Sequence, residues 1–250
     1  MSIVILEHSP STGAMRLAAA LRDYGHRLRV IELHAGAAVP TDLDDTDGIV
    51  STGGNFSANG NEPWLEPEMK LLVQADEAQL PVIGICLGAQ VLARALGGEV
   101  GPTNGGEGGI ELGWHEVALT PAGAEDPLYA GIAWTSMQFH WHRDEVTKMP
   151  DGARVLATSQ RCQAQAWTCG LRTYGFQYHP EVYAETAAAW AALHPDDLDK
   201  AGITLDELKT RTAEHYPSFE RLSRRLFESI AMLLVPSDRR YQGLVKDLHH

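Results

Sequence analysis

The stretch PVIGICLGAQVLARALGG, residues 81–98, constrains this chain more than any other. An apolar run ends at Cys86, glycines stand two positions to either side, and a helical pattern begins at once. The spacing Gly84-Ile85-Cys86-Leu87-Gly88 is that of a nucleophile elbow, a sharp turn between a strand and a helix. A residue squeezed into such a turn sits on a strained backbone, and only glycine at the flanking sites avoids clashes as the chain reverses. The turn would aim the thiol out of the carboxyl edge of a sheet, where open α/β sheets hold ligands. It would also set the sulfur beside the first N–H groups of a helix, whose partial positive charge favours thiolate and can hold an oxyanion. A cysteine that merely fills the end of a buried strand fits the same frame.

The first half of the chain alternates in the same way. Apolar runs IVIL (3–6), LRVIEL (28–33), DGIVST (47–52) and PVIGIC (81–86) read as strands. Between them, AMRLAAALRDYG and WLEPEMKLLVQADEAQ (64–79) read as helices, with Pro67 tolerated near a first turn. Short strands separated by helices imply βαβ units and a parallel sheet covered on both faces. After about residue 100 the character changes. IELGWHEVALT, RVLATS (154–159), QAQAW (163–167) and LRTYGFQYH (171–179) are closely spaced β runs that favour antiparallel neighbours. Helical patterns return in AETAAAWAALH, LDELKTRTAEHY and SFERLSRRLFESIAMLLV. With no repeat, linker or composition break, one domain over 1–250 is expected, with a core of about 3–192 and a helical extension of about 183–235.

Composition narrows the partners. Asp plus Glu is 33 against 20 for Lys plus Arg, a net charge of −13, so no nucleic acid and no anionic membrane surface is expected to bind. Three cysteines make no disulfide framework. The opening MSIVILEHSP has no basic region, and its apolar run is too short for a signal or a membrane span, so a cytoplasmic location is expected.

A second motif bears on Cys86. In YGFQYHPE (174–181), His179 and Glu181 stand two apart at the end of a β run, and Pro180 holds the segment extended. A histidine that deprotonates a thiol needs its other ring nitrogen fixed, which a carboxylate on the same side can do. HPE alone is an ordinary turn before a helix, and HPDD at His194 reads as a helix start. Beside the elbow, however, HPE reads as the rest of a Cys-His-Glu triad.

GICLGAQ and GFQYHPE together resemble the signature motifs of the class I (triad) glutamine amidotransferases, over roughly Ile3 to Ala192. The likeness is to the stand-alone relatives of the GMP synthetase amidotransferase domain. It implies a flavodoxin-like α/β fold: a central, mostly parallel sheet with helices on both faces plus a small antiparallel β section. It also implies attack by cysteine on the γ-amide of glutamine, with ammonia and a glutamyl thioester as products and no cofactor. On that resemblance Cys86 is the nucleophile, His179 the base and acid, and Glu181 the carboxylate that orients it. Gly54 and Leu87 would supply the oxyanion-hole N–H groups, and Gly53 pairs with Gly54. Gln90 matches a glutamine-contacting position, and His142 and Asp144 match the His and Asp of a loop that walls the pocket. The sequence departs from the family at Asn55, where the family has proline, and at Trp141 and Arg143, where its pocket loop has serine and glycine.

His140 and His142 are spaced as a metal pair on a strand would be. No third ligand with suitable spacing follows, so a pocket wall and no metal are expected. Cys162 and Cys169 lack CxxC spacing and read as inert, GPTNGGEGG carries no phosphate-loop lysine, and DLDDTD (42–47) reads as a solvated loop. Two activities fit: a glutaminase, and a γ-glutamyl peptidase using the same triad, with Trp141 and Arg143 altering the leaving-group side. The small-molecule partner is then glutamine or a γ-glutamyl compound. No ATP motif is present, so any synthetic use of the ammonia would need a separate synthetase subunit.

Overall fold

The computed structural model describes residues 1–103 and 109–234. Residues 104–108 of the glycine-rich stretch, Val235 of the expected helical extension and the terminal His249 and His250 lie outside the described residues. The parallel half is built from β1 (Ser2–Glu7), α1 (Met15–Asp23), β2 (Leu28–Glu32), β3 (Thr46–Ser51), α2 (Leu65–Glu77), β4 (Val82–Ile85) and α3 (Leu87–Ala95). Then follow β5 (Glu99–Pro102), β6 (Glu111–Leu119), α4 (Pro121–Glu125), β7 (Thr135–His142), β8 (Asp144–Lys148), β9 (Arg154–Thr158), β10 (Ala166–Cys169) and β11 (Thr173–Phe176). The described residues continue with α5 (Ala184–Leu193), α6 (Pro195–Ala201) and α7 (Leu205–Ser229).

Nine strands form one sheet in the order β2-β1-β3-β4-β11-β10-β9-β6-β7. The first five are parallel, in the doubly wound order 2-1-3-4-5 with β11 as the fifth, and the rest pair antiparallel. The antiparallel section therefore continues the main sheet, and the only separate ladder among the described residues is β5 with β8.

Strand β1 shows why both faces need helices. Ile3 and Ile5 bury into a cluster with Leu17 and Leu21 of α1 and Phe227 of α7, while Val4 and Leu6 bury on the other face with Leu71, Leu72, Val91 and Leu92 of α2 and α3. Period-2 alternation sends neighbours to opposite faces, so an all-apolar run is the signature of a strand covered twice. A third cluster, with Trp114, Phe139, Trp190 and Phe219, joins β6 and β7 to the C-terminal helices.

Three boundaries differ from the sequence expectation. Strand β10 lies at 166–169 rather than 163–167, because Thr168 and Cys169 pair with Tyr174 and Thr173 across a turn at Gly170, where φ is +66°. Strand β11 stops at Phe176; the Gln177 N–H still donates to Gln165 O at 2.8 Å, and the His179 N–H then donates to Phe139 O on β7 at 2.8 Å. The two expected C-terminal helices are one helix of 25 residues that runs through Pro217. An internal proline costs roughly 3 kcal/mol. Burial of Leu208 and Thr212 before it, and of Phe219, Leu222 and Leu226 after it, offsets that loss.

Candidate active site

Cys86 is the residue between β4 and α3, with φ +51°, a value side chains rarely adopt. The flanking glycines are required by contact. A β-carbon at Gly88 would lie 2.1 Å from the Ser51 carbonyl oxygen, and one at Gly84 would lie 2.7 Å from the backbone of Ala89. Helix α3 lies so close to β4 at Gly84 and to β3 at Gly88 that any side chain at either site would push these elements apart. The turn is held by the Cys86 N–H donating to Phe176 O at 2.7 Å and the Gly88 N–H to Thr52 O at 3.0 Å.

The ends of the neighbouring strands β3 and β11 deliver the other predicted residues to the same edge. After β11, His179 and Glu181 are both buried, and Nδ1 of His179 lies 2.7 Å from Oε1 of Glu181. The ring and Cys86 flank the same glycine: a β-carbon at Gly53 would lie 3.0 Å from His179 Cε1 and 3.7 Å from Cys86 Cβ. Burial alone would depress the His179 pKa, but the negative charges of Glu181 and then of Cys86 outweigh it and raise it to about 10. After β3 come Gly53 and Gly54, with Gly53 O accepting from the Thr12 hydroxyl at 2.6 Å. A β-carbon on Gly54 would come within 2.7 Å of His8 Cβ, so the loop lies pressed against a protein side chain.

That side chain belongs to a buried network beneath the loop. His8 Nδ1 faces Thr52 O at 3.0 Å, His8 Nε2 faces Glu68 Oε2 at 2.8 Å, and Ser51 Oγ donates to Glu68 Oε1 at 2.7 Å. Burial opposes a charged ring, yet the Glu68 carboxylate raises the His8 pKa. Both ring nitrogens face acceptors, the arrangement of an imidazolium.

Cys86 opens into a cavity of about 450 Å³ lined by Gly54, Leu87, Gln90, Trp141, His142 and Asp144 among others. That volume suits a small metabolite. Gln90 reaches the wall, but its amide N–H groups go to Asp144 O at 2.8 Å and Gln177 Oε1 at 3.2 Å, so it also braces the loop. Asp144 accepts from Ser57 Oγ at 3.2 Å. The Trp141 carbonyl oxygen lies 3.7 Å from the sulfur, and the Trp141 indole donates to Asp197 Oδ2 at 3.0 Å. Arg143 pairs with the same carboxylate.

Sequence reasoning missed the helical side of the pocket. His194 caps α6, as HPDD suggested, but it also lines the cavity and bonds Asn55 at 2.9 Å. Asp197 is a lining residue too, and Trp190 of α5 stands edge-on to the His179 ring. No local spacing marks these residues. An apolar position in an Ala-rich helix and an acid in a helix's first turn are both ordinary.

No third ligand follows His140 and His142 in the sequence, but the fold brings a carboxylate to them from an earlier strand. Glu111 stands directly across from His142 in the β6–β7 ladder, and one ligand atom from each of Glu111, His140 and His142 falls within a 4.8 Å group. The partner precedes the pair and arrives by strand pairing, which no search along the following sequence could find. Cys162 is buried and its thiol pKa is pushed up by burial, which suits an inert residue. Cys169 is half-buried and also shifted upward by burial. No helix among the described residues is long and apolar enough to cross a membrane.

Residues 12–190 match the family described as glutamine amidotransferase class-I. The chain is 35% identical over 164 residues to a subunit of the glutamine-hydrolyzing GMP synthase of Archaeoglobus fulgidus, covering 65% of this chain and 80% of that one. It is 31% identical over 174 residues to gamma-glutamyl peptidase 5 of Arabidopsis thaliana, covering 66% and 68%. The crystal structure of a glutamine amido transferase from Methylobacillus flagellatus superposes with a TM-score of 0.79 at 27% identity, covering 91% of this chain and 93% of that one.

Proposed function

Because the chain belongs to the glutamine amidotransferase class-I family, we propose that it hydrolyses the γ-amide of glutamine with Cys86, His179 and Glu181 as a catalytic triad. The observation that carries this proposal is the buried His179 ring, held by Glu181 on one nitrogen and flanking Gly53 together with Cys86, which itself lines the cavity.

In the proposed reaction the thiolate attacks the amide carbon while His179 carries the proton. The N–H groups of Gly54 and Leu87 stabilise the resulting oxyanion. His179 then gives its proton to the departing nitrogen, releasing ammonia and leaving a γ-glutamyl thioester. A water molecule, deprotonated by the same imidazole, attacks the thioester, and glutamate leaves as the thiol is restored. Glu181 keeps the ring in register and stabilises its charged form. The contacts of Trp190 with His179 and of Asp197 with Trp141 support reading the C-terminal helices and the sheet as one functional unit. Any transfer of the ammonia to an acceptor would take place on a separate synthetase protein, in line with the archaeal relative being one part of a GMP synthase.

A γ-glutamyl peptidase is the second reading. The plant relative carries that name, and Trp141, Arg143 and Asp197 form a polar rim where a leaving group larger than ammonia would sit. Purified protein offered glutamine and glutathione separately distinguishes the two. Ammonia from glutamine supports the amidohydrolase, and cleavage of glutathione alone replaces it with the peptidase. With either substrate, Cys86→Ser should abolish turnover and labelling by an electrophilic glutamine analogue. Labelling at Cys162 or Cys169 instead would overturn the triad.

A further inference from the structure

The cluster behind the pocket wall has no part in the proposed reaction, yet its polar groups are incompletely matched. Glu111, His140 and His142 are all buried. Neither ring nitrogen of His140 has a hydrogen-bond partner, although its Nδ1 lies 3.6 Å from Glu111 Oε2. A buried polar group without a partner loses the hydrogen bonds it made to water, so such groups are rare unless something else meets them.

His142 points the same way. Its Nδ1 lies 3.0 Å from Asp144 O, and its Nε2 lies 2.8 Å from Glu111 Oε2. The carbonyl and the carboxylate can only accept, and the Thr103 hydroxyl, which can also donate, lies farther from Nδ1 at 3.4 Å. If Nδ1–H donates to the carbonyl, the Nε2 lone pair confronts the carboxylate unless a positive centre lies between them. A proton there would satisfy His142 but leave His140 as it is. A divalent ion would take lone pairs from Glu111, His142 Nε2 and His140 Nδ1 at once.

The surroundings orient these atoms as an outer shell orients metal ligands. The Asp144 carbonyl, the nearer partner of Nδ1, favours the His142 tautomer that leaves the Nε2 lone pair for a metal. Ser159 Oγ donates to Glu111 Oε1 at 3.0 Å, and Gln165 Nε2 donates to Glu111 Oε2 at 2.7 Å. Two imidazoles and one carboxylate form the borderline donor set that suits zinc rather than magnesium or calcium, which prefer oxygen throughout. Zinc–ligand bonds of about 2.0–2.2 Å require donors somewhat over 3 Å apart, between the two separations found here. His142 also lines the cavity, so the cluster is one side chain away from solvent.

We infer that Glu111, His140 and His142 form a structural binding site for a zinc-like divalent cation, which ties β6 to β7 behind the pocket wall. The test uses the full chain, stripped with a chelator, dialysed and titrated with Zn²⁺, and in parallel with Co²⁺ as a spectroscopic probe. About one equivalent of zinc should bind and raise the thermal midpoint, and cobalt should give the intense visible bands of a four-coordinate ion. His140→Gln and Glu111→Gln should each weaken binding by at least about tenfold. The double change His249→Ala/His250→Ala should leave binding intact. Lack of stoichiometric binding to the wild-type chain, or the faint spectrum of six-coordinate cobalt, would overturn the site. So would undiminished binding by a folded His140→Gln chain. The wild-type titration decides alone if the variants do not fold, and none of these readouts depends on turnover.

Discussion

The indole of Trp190 packs edge-on against the imidazole of His179, ring centroids 4.9 Å apart, and donates its own N–H to Ser11 O at 2.9 Å. A residue from the C-terminal helices thus packs against the ring that Glu181 holds. Ring contact and bond can be separated by mutation. Trp190→Phe keeps an aromatic face on His179 and should cost about 0.5–1.5 kcal/mol, the value of one hydrogen bond. Trp190→Ala removes both and should cost about 3–5 kcal/mol, with a larger fall in turnover. Urea denaturation beside steady-state assays checks this, and equal losses from the two variants would contradict it.

The charge on His179 sets a pH limit. Its pKa is raised to about 10, so the stabilisation from its protonation is complete below the ordinary histidine value of about 6.5 and is lost as pH rises through about 10. Glu181→Gln removes a negative charge that raises this pKa. The alkaline limb of kcat/KM should therefore move to lower pH, and the variant should lose less stability between pH 7 and 10 than the parent. An unmoved limb would mean that Glu181 does not act on His179.

The triad members should differ in their effects. His179→Ala removes the proton carrier and should cost on the order of 10⁵-fold in turnover, whereas Glu181→Ala removes only orientation and charge and should cost at least about tenfold less. Single-turnover measurements on the two variants test the order, and equal losses would contradict it.

Gly88→Ala tests the elbow by contact alone. The added carbon would stand 2.1 Å from Ser51 O, which is backbone and cannot rotate away. Destabilisation should reach about 3 kcal/mol, the upper end for overpacking. Gly97→Ala is the contrast: nothing lies within 4 Å there, and the cost comes only from a φ of +89°. Thermal unfolding of both variants should show Gly88→Ala as the more damaging.

Beneath the Gly53–Gly54 loop, Glu68→Gln should leave His8 buried without its counter-charge. A loss of about 1.5–3 kcal/mol is expected, the range for a hydrogen bond to a charged group. Because the Glu68 carboxylate raises the His8 pKa, the pair stabilises the parent most at or below the usual histidine range and less as pH rises. The difference between parent and variant should therefore narrow at alkaline pH, as chemical denaturation at several pH values would show.

Much of the molecule was legible in one dimension because its determinants are local. The glycine spacing of the turn fits within five residues, Gly84 to Gly88, although the contact that requires Gly88 is with Ser51 of β3, and the parallel half follows from apolar runs alternating with helical periods. The pairing of His179 with Glu181 needs only an extended segment of three residues. The boundaries near β10 and β11 were less legible, because partner strands decide where pairing stops.

What the tertiary structure alone decided are contacts between residues far apart in the chain. Cys86 flanks the same glycine as His179 because β4 and β11 are neighbours in the sheet. Glu111 reaches His142 by antiparallel register, Glu68 reaches His8 from a helix across the sheet edge, and Trp190 reaches His179 from beyond the β section. Each position looks ordinary in its own segment. Local spacing encodes turns and periods, whereas burial and strand pairing, which depend on the whole chain at once, choose a residue's distant partners.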